Sequence, residues 1–225
     1  MKIKLLHQVH QNIRIRNGKN DLLKMIGIVS MFIDHVGIIL FPQVIILRII
    51  GRLAFPIFAF AIANGYEHTL NLKKYFFRLL IFAVISQIPF MLTINFMELN
   101  FLFTLTVSLA VLHFFKKKQR FAAIIFIVLS VIIPMDFGLY GVLLPSFFYF
   151  FKKNLLIIAA FTLSTIFHTI IWQWAIQLFS VLGLLLILFL QDTKSKLHLP
   201  KYFFYWFYPG HLIILLIIKR MLMAC

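Results

Sequence analysis

The chain has 225 residues, of which 63% are hydrophobic, and a mean hydropathy of +1.01. Soluble domains hold about 45–50% apolar residues, so a water-soluble globular fold is excluded. The formal net charge of +16 points to a basic protein. These cations sit in short segments between apolar runs, which reads as a set of topology signals and lipid-headgroup contacts and excludes nucleic acid as a partner.

Taken in order, the chain opens on a basic segment, 1–20, with no short apolar core followed by a small-residue cleavage site. We read it as a cytoplasmic tail ahead of a single membrane domain, 21–225. Nine apolar runs follow, at 22–41, 44–64, 74–94, 101–115, 121–135, 139–151, 155–171, 174–190 and 203–222. They predict an all-α polytopic bundle of eight or nine transmembrane helices. The runs at 101–115, 121–135 and 139–151 fall short of the ~20 residues of a straight span. They are expected to be tilted, enclosed in the bundle, or re-entrant.

The positive charges fix an orientation. With the N-terminus cytoplasmic, Lys2, Lys4, Arg14, Arg16, Lys19 and Lys24 lie inside. So do Lys73, Lys74 and Arg78, then Lys116–Lys118 with Arg120, then Lys152 and Lys153, then Lys194, Lys196 and Lys201. Outside loops carry none until Lys219 and Arg220, which break the rule and leave the last span the least secure. The one cysteine, Cys225, allows no intrachain disulfide. Dispersed His and Asp do not make a tight zinc site, and no metal is expected.

Ionisable groups inside spans cost several kcal/mol unless paired or hydrated, so each is a candidate site residue. Asp34 and His35 stand in the outer part of the first span, Arg48 and Arg52 one helical turn apart in the second. Asn95, Glu98 and Asn100 fill the next outside loop, Asp136 and Tyr140 flank another, and His168 and Gln173 end the seventh span. At one level of the bilayer these groups could line a single cavity open to the external side. Adjacent helical residues diverge by about 100°, so Asp34 is expected to pair with Arg48 or Arg52 while His35 faces the cavity. His168, beside Trp172 and Trp174, reads as interfacial anchoring. His211 follows Pro209 and Gly210, a pair expected to kink or unwind its span.

The segments DLLKMIGIVSMFIDHVG, RIIGRLAFPIFAFAIANGYEHT and KKYFFRLLIFAVISQIPF, with MDFGLYGVLL and FYPGHLIIL, resemble the TraX family of integral membrane proteins. That family is named for a conjugation protein that N-acetylates F-type pilin, and it is similar to the broader transmembrane acyltransferases. The resemblance implies an acetyltransferase that uses acetyl-CoA from the cytoplasm. Its acceptor would be an amine or hydroxyl on a peptide, glycan or lipid at the membrane or its outer face. It implies His35, Asp34, Arg48 and Arg52 as the transfer centre and Asp136, Tyr140 and His211 as further site residues. Asn100 joins them as a substrate-side polar group of the outside loop. The cytoplasmic Lys73, Lys74 and Arg78 are expected to hold the CoA phosphates. The alternative is a transporter or flippase of an anionic lipid or glycan intermediate, in which the arginines bind a headgroup and Asp34 and His35 couple protons. The lack of repeated halves counts against it.

Overall fold

The computed structural model describes the backbone of residues 2–94, 97–151, 153–191, 193, 195, 197, 199–200 and 202–224, with side chains from residue 21 to 223 of these. The side chains of Lys2, Lys4, Arg14, Arg16 and Lys19, and Asn95, Lys152, Lys194, Lys196 and Lys201, therefore lie outside the described residues.

Every described element is helical apart from one isolated bridge between Leu99 and Met135. The helices are α1 (Lys2–Ile39), α2 (Ile45–Gly51), α3 (Ala54–His68), α4 (Leu72–Thr93), α5 (Phe101–Lys116) and α6 (Arg120–Ile132). They continue with α7 (Gly138–Phe150), α8 (Asn154–Trp172), a 3-10 turn (Ala175–Phe179), α9 (Ser180–Leu190) and α10 (Phe203–Ala224). Among the described residues, five segments are long and apolar enough to cross a membrane: Asp21–Ile39, Ile45–His68, Leu72–Thr93, Asn154–Trp172 and Phe203–Met223. Four shorter apolar helices accompany them.

Two of the expected spans differ in detail. The second is broken into α2 and α3, because Pro56 has no N–H to give the carbonyl of Arg52. The chain tightens there into 3-10 bonds, Arg52 N–H to Ile49 and Leu53 N–H to Ile50. In α10 the opposite holds: the helix runs through Pro209 and Gly210 without unwinding. Proline there removes only the bond to the Tyr205 carbonyl.

Helix α5 is enclosed, with Leu105, Leu109 and Leu112 fully buried. It packs against α3, α4, α6 and α7. By contrast α6 and α8 turn Phe121, Val131, Ile132, Leu163, Phe167 and Ile170 outward. Apolar faces of this extent are untenable in water and are matched by lipid. On one side α1 packs on α2, α3 and α10, and α4 packs on α10. That corner of the bundle holds the polar groups.

Candidate functional site

Asp34 and His35 leave α1 in different directions, as helical geometry demands. Asp34 turns to the α2–α3 break. Arg52 Nη2 donates to both its carboxylate oxygens, at 2.8 Å each, and Arg48 Nη1 reaches Oδ2 at 3.4 Å. The other nitrogens of Arg52 are also used: Nη1 donates to Gln177 Oε1 and Nε to the Arg48 carbonyl, both at 3.3 Å. Trp174 roofs the pair, its ring centre 5.5 Å from the Arg48 guanidinium carbon and 5.4 Å from that of Arg52. The close approach needs Gly51. A Cβ there would fall 2.1 Å from Asp34 Oδ1.

His35 turns to α10. Its Nδ1 lies 2.6 Å from Nε2 of His211, with the rings nearly parallel. His211 Nδ1 in turn lies 2.6 Å from the carbonyl oxygen of Phe207. A carbonyl only accepts, so His211 Nδ1 carries the proton and its Nε2 is the acceptor. His35 Nδ1–H is then the donor. This leaves His35 Nε2 with its lone pair and no hydrogen-bond partner among the described residues.

His35, Asp34, Arg48 and Arg52 line a cavity of about 540 Å³ whose wall also includes Glu98, Asp136, Trp174 and Phe137. Asp136 is delivered by the α6–α7 loop. That loop is pinned to the one before α5 by Leu99 N–H to the Pro134 carbonyl and Asp136 N–H to the Leu99 carbonyl, and to α5 itself by the Thr104 hydroxyl on the Asp136 carbonyl. Phe137 takes a left-handed backbone, φ 64°, which only a well-fixed residue sustains. Its ring stacks on Phe55 at 3.8 Å. Loss of water around the Asp136 carboxyl pushes its pKa up to about 7. Arg52 opposes this, while Glu98 and Asp34 add to it.

A second cavity, of about 440 Å³, lies at the other end of the Asp21–Ile39 segment, between the starts of that segment, α4 and α10. Its polar wall includes Asp21, Lys24, Tyr75, Arg78, Tyr205 and Tyr208. Asp21 accepts from Lys24 Nζ at 3.0 Å and from the Leu199 N–H at 3.1 Å. The Arg78 guanidinium lies over Tyr75 and Tyr205, and its buried Nε has no hydrogen-bond partner. The two cavities share three lining residues, Met31, Phe58 and Phe101.

The expected residues thus divide. Asp34, His35, Arg48, Arg52 and Asp136 meet at one cavity, and His211 joins through His35. Tyr140 does not reach it; its hydroxyl is buried against Thr165 at 3.0 Å and Ser180 at 3.3 Å. Asn100 is fully buried as the N-cap of α5, accepting from Leu102 N–H and donating to the Ala83 carbonyl and Gln87. It holds loops together rather than facing a substrate. Lys73 and Lys74 are exposed on the first turn of α4, away from the second cavity; Arg78 lines it, and Lys24 supplies the other cation. His168 packs on Tyr140 at 4.8 Å as well as near Trp172, so it is more than a surface anchor. Sequence reading missed Gln177 and Tyr208. Both are buried polar residues within apolar runs, and that was the available signal.

Comparison with known proteins completes the picture. An uncharacterised protein of Rickettsia prowazekii, RP591, is 37% identical over 104 residues, covering 46% of this chain and 40% of that one. A protein of Dichelobacter nodosus named "Probable fimbrial assembly protein FimC, serogroup H1" is 39% identical over 72 residues, 30% of this chain and 29% of that one. The chain therefore spans less than half the length of the curated relatives it matches. No solved structure matches. The family model described as "TraX protein" matches residues 19–219, the region that builds both cavities. The chain belongs to the TraX family.

Proposed function

We propose that the protein is a multi-pass transmembrane acetyltransferase of eight or nine spans in a bacterial inner membrane, with its N-terminus in the cytoplasm. It moves an acetyl group from acetyl-CoA to an acceptor amine or hydroxyl at the opposite side. The supporting observation is the His211–His35 pair: hydrogen bonding fixes one tautomer and leaves His35 Nε2 as a base on a cavity lined by guanidiniums.

The residues of the second cavity suit the donor. Lys24 and Arg78 offer cations for its phosphates, and the tyrosine hydroxyls and aliphatic wall suit its narrow, uncharged arm with its two amides. When bound, the donor supplies an activated carbonyl: the acceptor nitrogen or oxygen bonds to its carbon, the carbon–sulfur bond breaks, and coenzyme A leaves as the thiol. His35 Nε2 takes the proton from the acceptor and returns it to the departing sulfur. Arg48, with only one long bond to Asp34, keeps most of its five N–H groups free for the developing oxyanion. Arg52 has no such reserve. Asp34 holds both arginines in place.

Because a relative is named for fimbrial assembly, we favour a peptide amine of pilin type over a glycan or lipid as acceptor. Two facing cavities also suit the transporter reading, which predicts no release of coenzyme A. The test compares the masses of membrane peptides and glycans from cells with and without the protein. One species gaining the mass of an acetyl group only when the protein is present, and not with His35→Ala, supports the proposal; no such species opposes it.

A further inference from the structure

The two cavities touch the same three side chains. Met31 on α1, Phe58 on α3 and Phe101 at the start of α5 line both. Phe58 and Phe101 close the gap between them, ring centres 5.5 Å apart. All three are apolar, so the partition repels hydrated ions and charged headgroups. A neutral, slender group meets no such barrier.

The partition is also cheap to move. A ring in a close-packed core cannot turn without displacing neighbours. Phe58, half-buried, has empty volume on two sides. Met31 is unbranched and flexible. Beside them stands Tyr208, 1% exposed, its hydroxyl buried without a hydrogen-bond partner. Its ring lies edge-on to Phe101 at 4.6 Å and 6.0 Å from the His35 ring. A buried hydroxyl left unpaired is costly unless something comes to satisfy it. A carbonyl passing between the cavities is suited to do so.

We infer that Met31, Phe58 and Phe101 form a movable partition between two halves of one passage, and that its aperture sets the length of the acyl group delivered to His35. This rests on the donor reading above. The partition passes a thioester bearing a short acyl group, with Tyr208 receiving its carbonyl. Longer chains are stopped at the rings.

The experiment has two arms. In the first, coenzyme A release from acetyl-, butyryl- and hexanoyl-CoA is measured for the purified wild type, Phe58→Ala and Phe58→Trp. We expect Phe58→Ala to raise the butyryl-to-acetyl ratio by at least about tenfold, the discrimination one or two methylenes carry in an apolar pocket. Phe58→Trp should retain binding of acetyl-CoA and lose turnover. An unchanged ratio in Phe58→Ala with acetyl turnover retained overturns the inference. In the second arm, Cys225→Ser carries Phe58→Cys as its only thiol, and a membrane-impermeant thiol reagent is applied to vesicles from each face in turn. Labelling from both faces supports a continuous passage, and labelling from one or neither overturns it. If the wild type releases no coenzyme A from any thioester, the donor reading fails, while the labelling arm still decides whether the passage exists.

Discussion

Arg52, in the break between α2 and α3, holds Asp34 of α1 through one nitrogen, Nη2, 2.8 Å from each carboxylate oxygen. Both residues are buried, at 6% and 8% exposure, so each charge is largely withdrawn from bulk water and relies on the other. Removing one member strands the other. Asp34→Asn should therefore cost about 3–5 kcal/mol of stability, whereas replacing a buried pair together is often near neutral. In detergent melts, Asp34→Asn should melt far below wild type, and Asp34→Asn with Arg52→Gln should recover much of the loss. Equal melting of both variants would mean the contact is incidental.

The His211–His35 bond makes a separate prediction. His211→Phe preserves ring packing against Phe207 but removes the acceptor that keeps the proton on His35 Nδ1. We expect kcat to fall about 10²-fold, within the range of general acid–base effects, with KM for acetyl-CoA little changed. His211→Gln, whose amide oxygen accepts, should recover part of the rate. A loss confined to KM would place His211 in substrate binding instead.

A matched pair of glycines tests the geometry. In Gly51→Ala the new methyl collides with Asp34 at 2.1–2.4 Å, so the ion pair must move. Overpacking of this kind costs roughly 1–3 kcal/mol, and transfer activity should go with it. Gly210 has nothing within 4 Å of a built Cβ, and it lies inside α10. Gly210→Ala should be neutral or stabilising by about 0.5–1 kcal/mol. In thermal melts Gly51→Ala should fall well below wild type, while Gly210→Ala should match or exceed it.

Asp136 predicts a pH dependence. Its folded pKa is raised to about 7, first by burial, from an ordinary carboxylate value of 3.8. The folded state therefore binds the proton more tightly than the unfolded chain. The penalty for the ionised form is absent below about pH 4, grows as pH rises, and is complete above about 7. Relative to Asp136→Asn, the wild type should lose stability as pH rises across that window. A flat difference between the two melting curves would show that the carboxyl is not held in this way.

Much of this was legible in the sequence. Apolar runs placed the helices, and the cost of burying charge singled out Asp34, His35, Arg48, Arg52 and Asp136, which do meet. The α2–α3 break was less so, because 44–64 reads as one continuous apolar run and only the missing N–H of Pro56 puts Arg52 at a junction. The contact of His35 with His211 spans 176 residues, and no local pattern encodes it. Asn100 misled because an outside polar residue looks like a ligand. Its place immediately before an apolar helix was the N-cap signal that explains it. Lys73 and Lys74 misled for a similar reason: charge in the right loop does not say which side chain turns to the cavity. Trp174 read as belt, yet it roofs the arginines, since a 3-10 turn follows it where a regular helix was expected.

The most direct measurement is the release of coenzyme A from acetyl-CoA by the purified protein, with a primary amine as acceptor, for wild type and His35→Ala at equal folded yield. Amine-dependent release by the wild type, falling at least about 10²-fold in the variant, is the predicted result. Equal release by both proteins would contradict the role given to His35, and none by either would contradict acyl transfer itself.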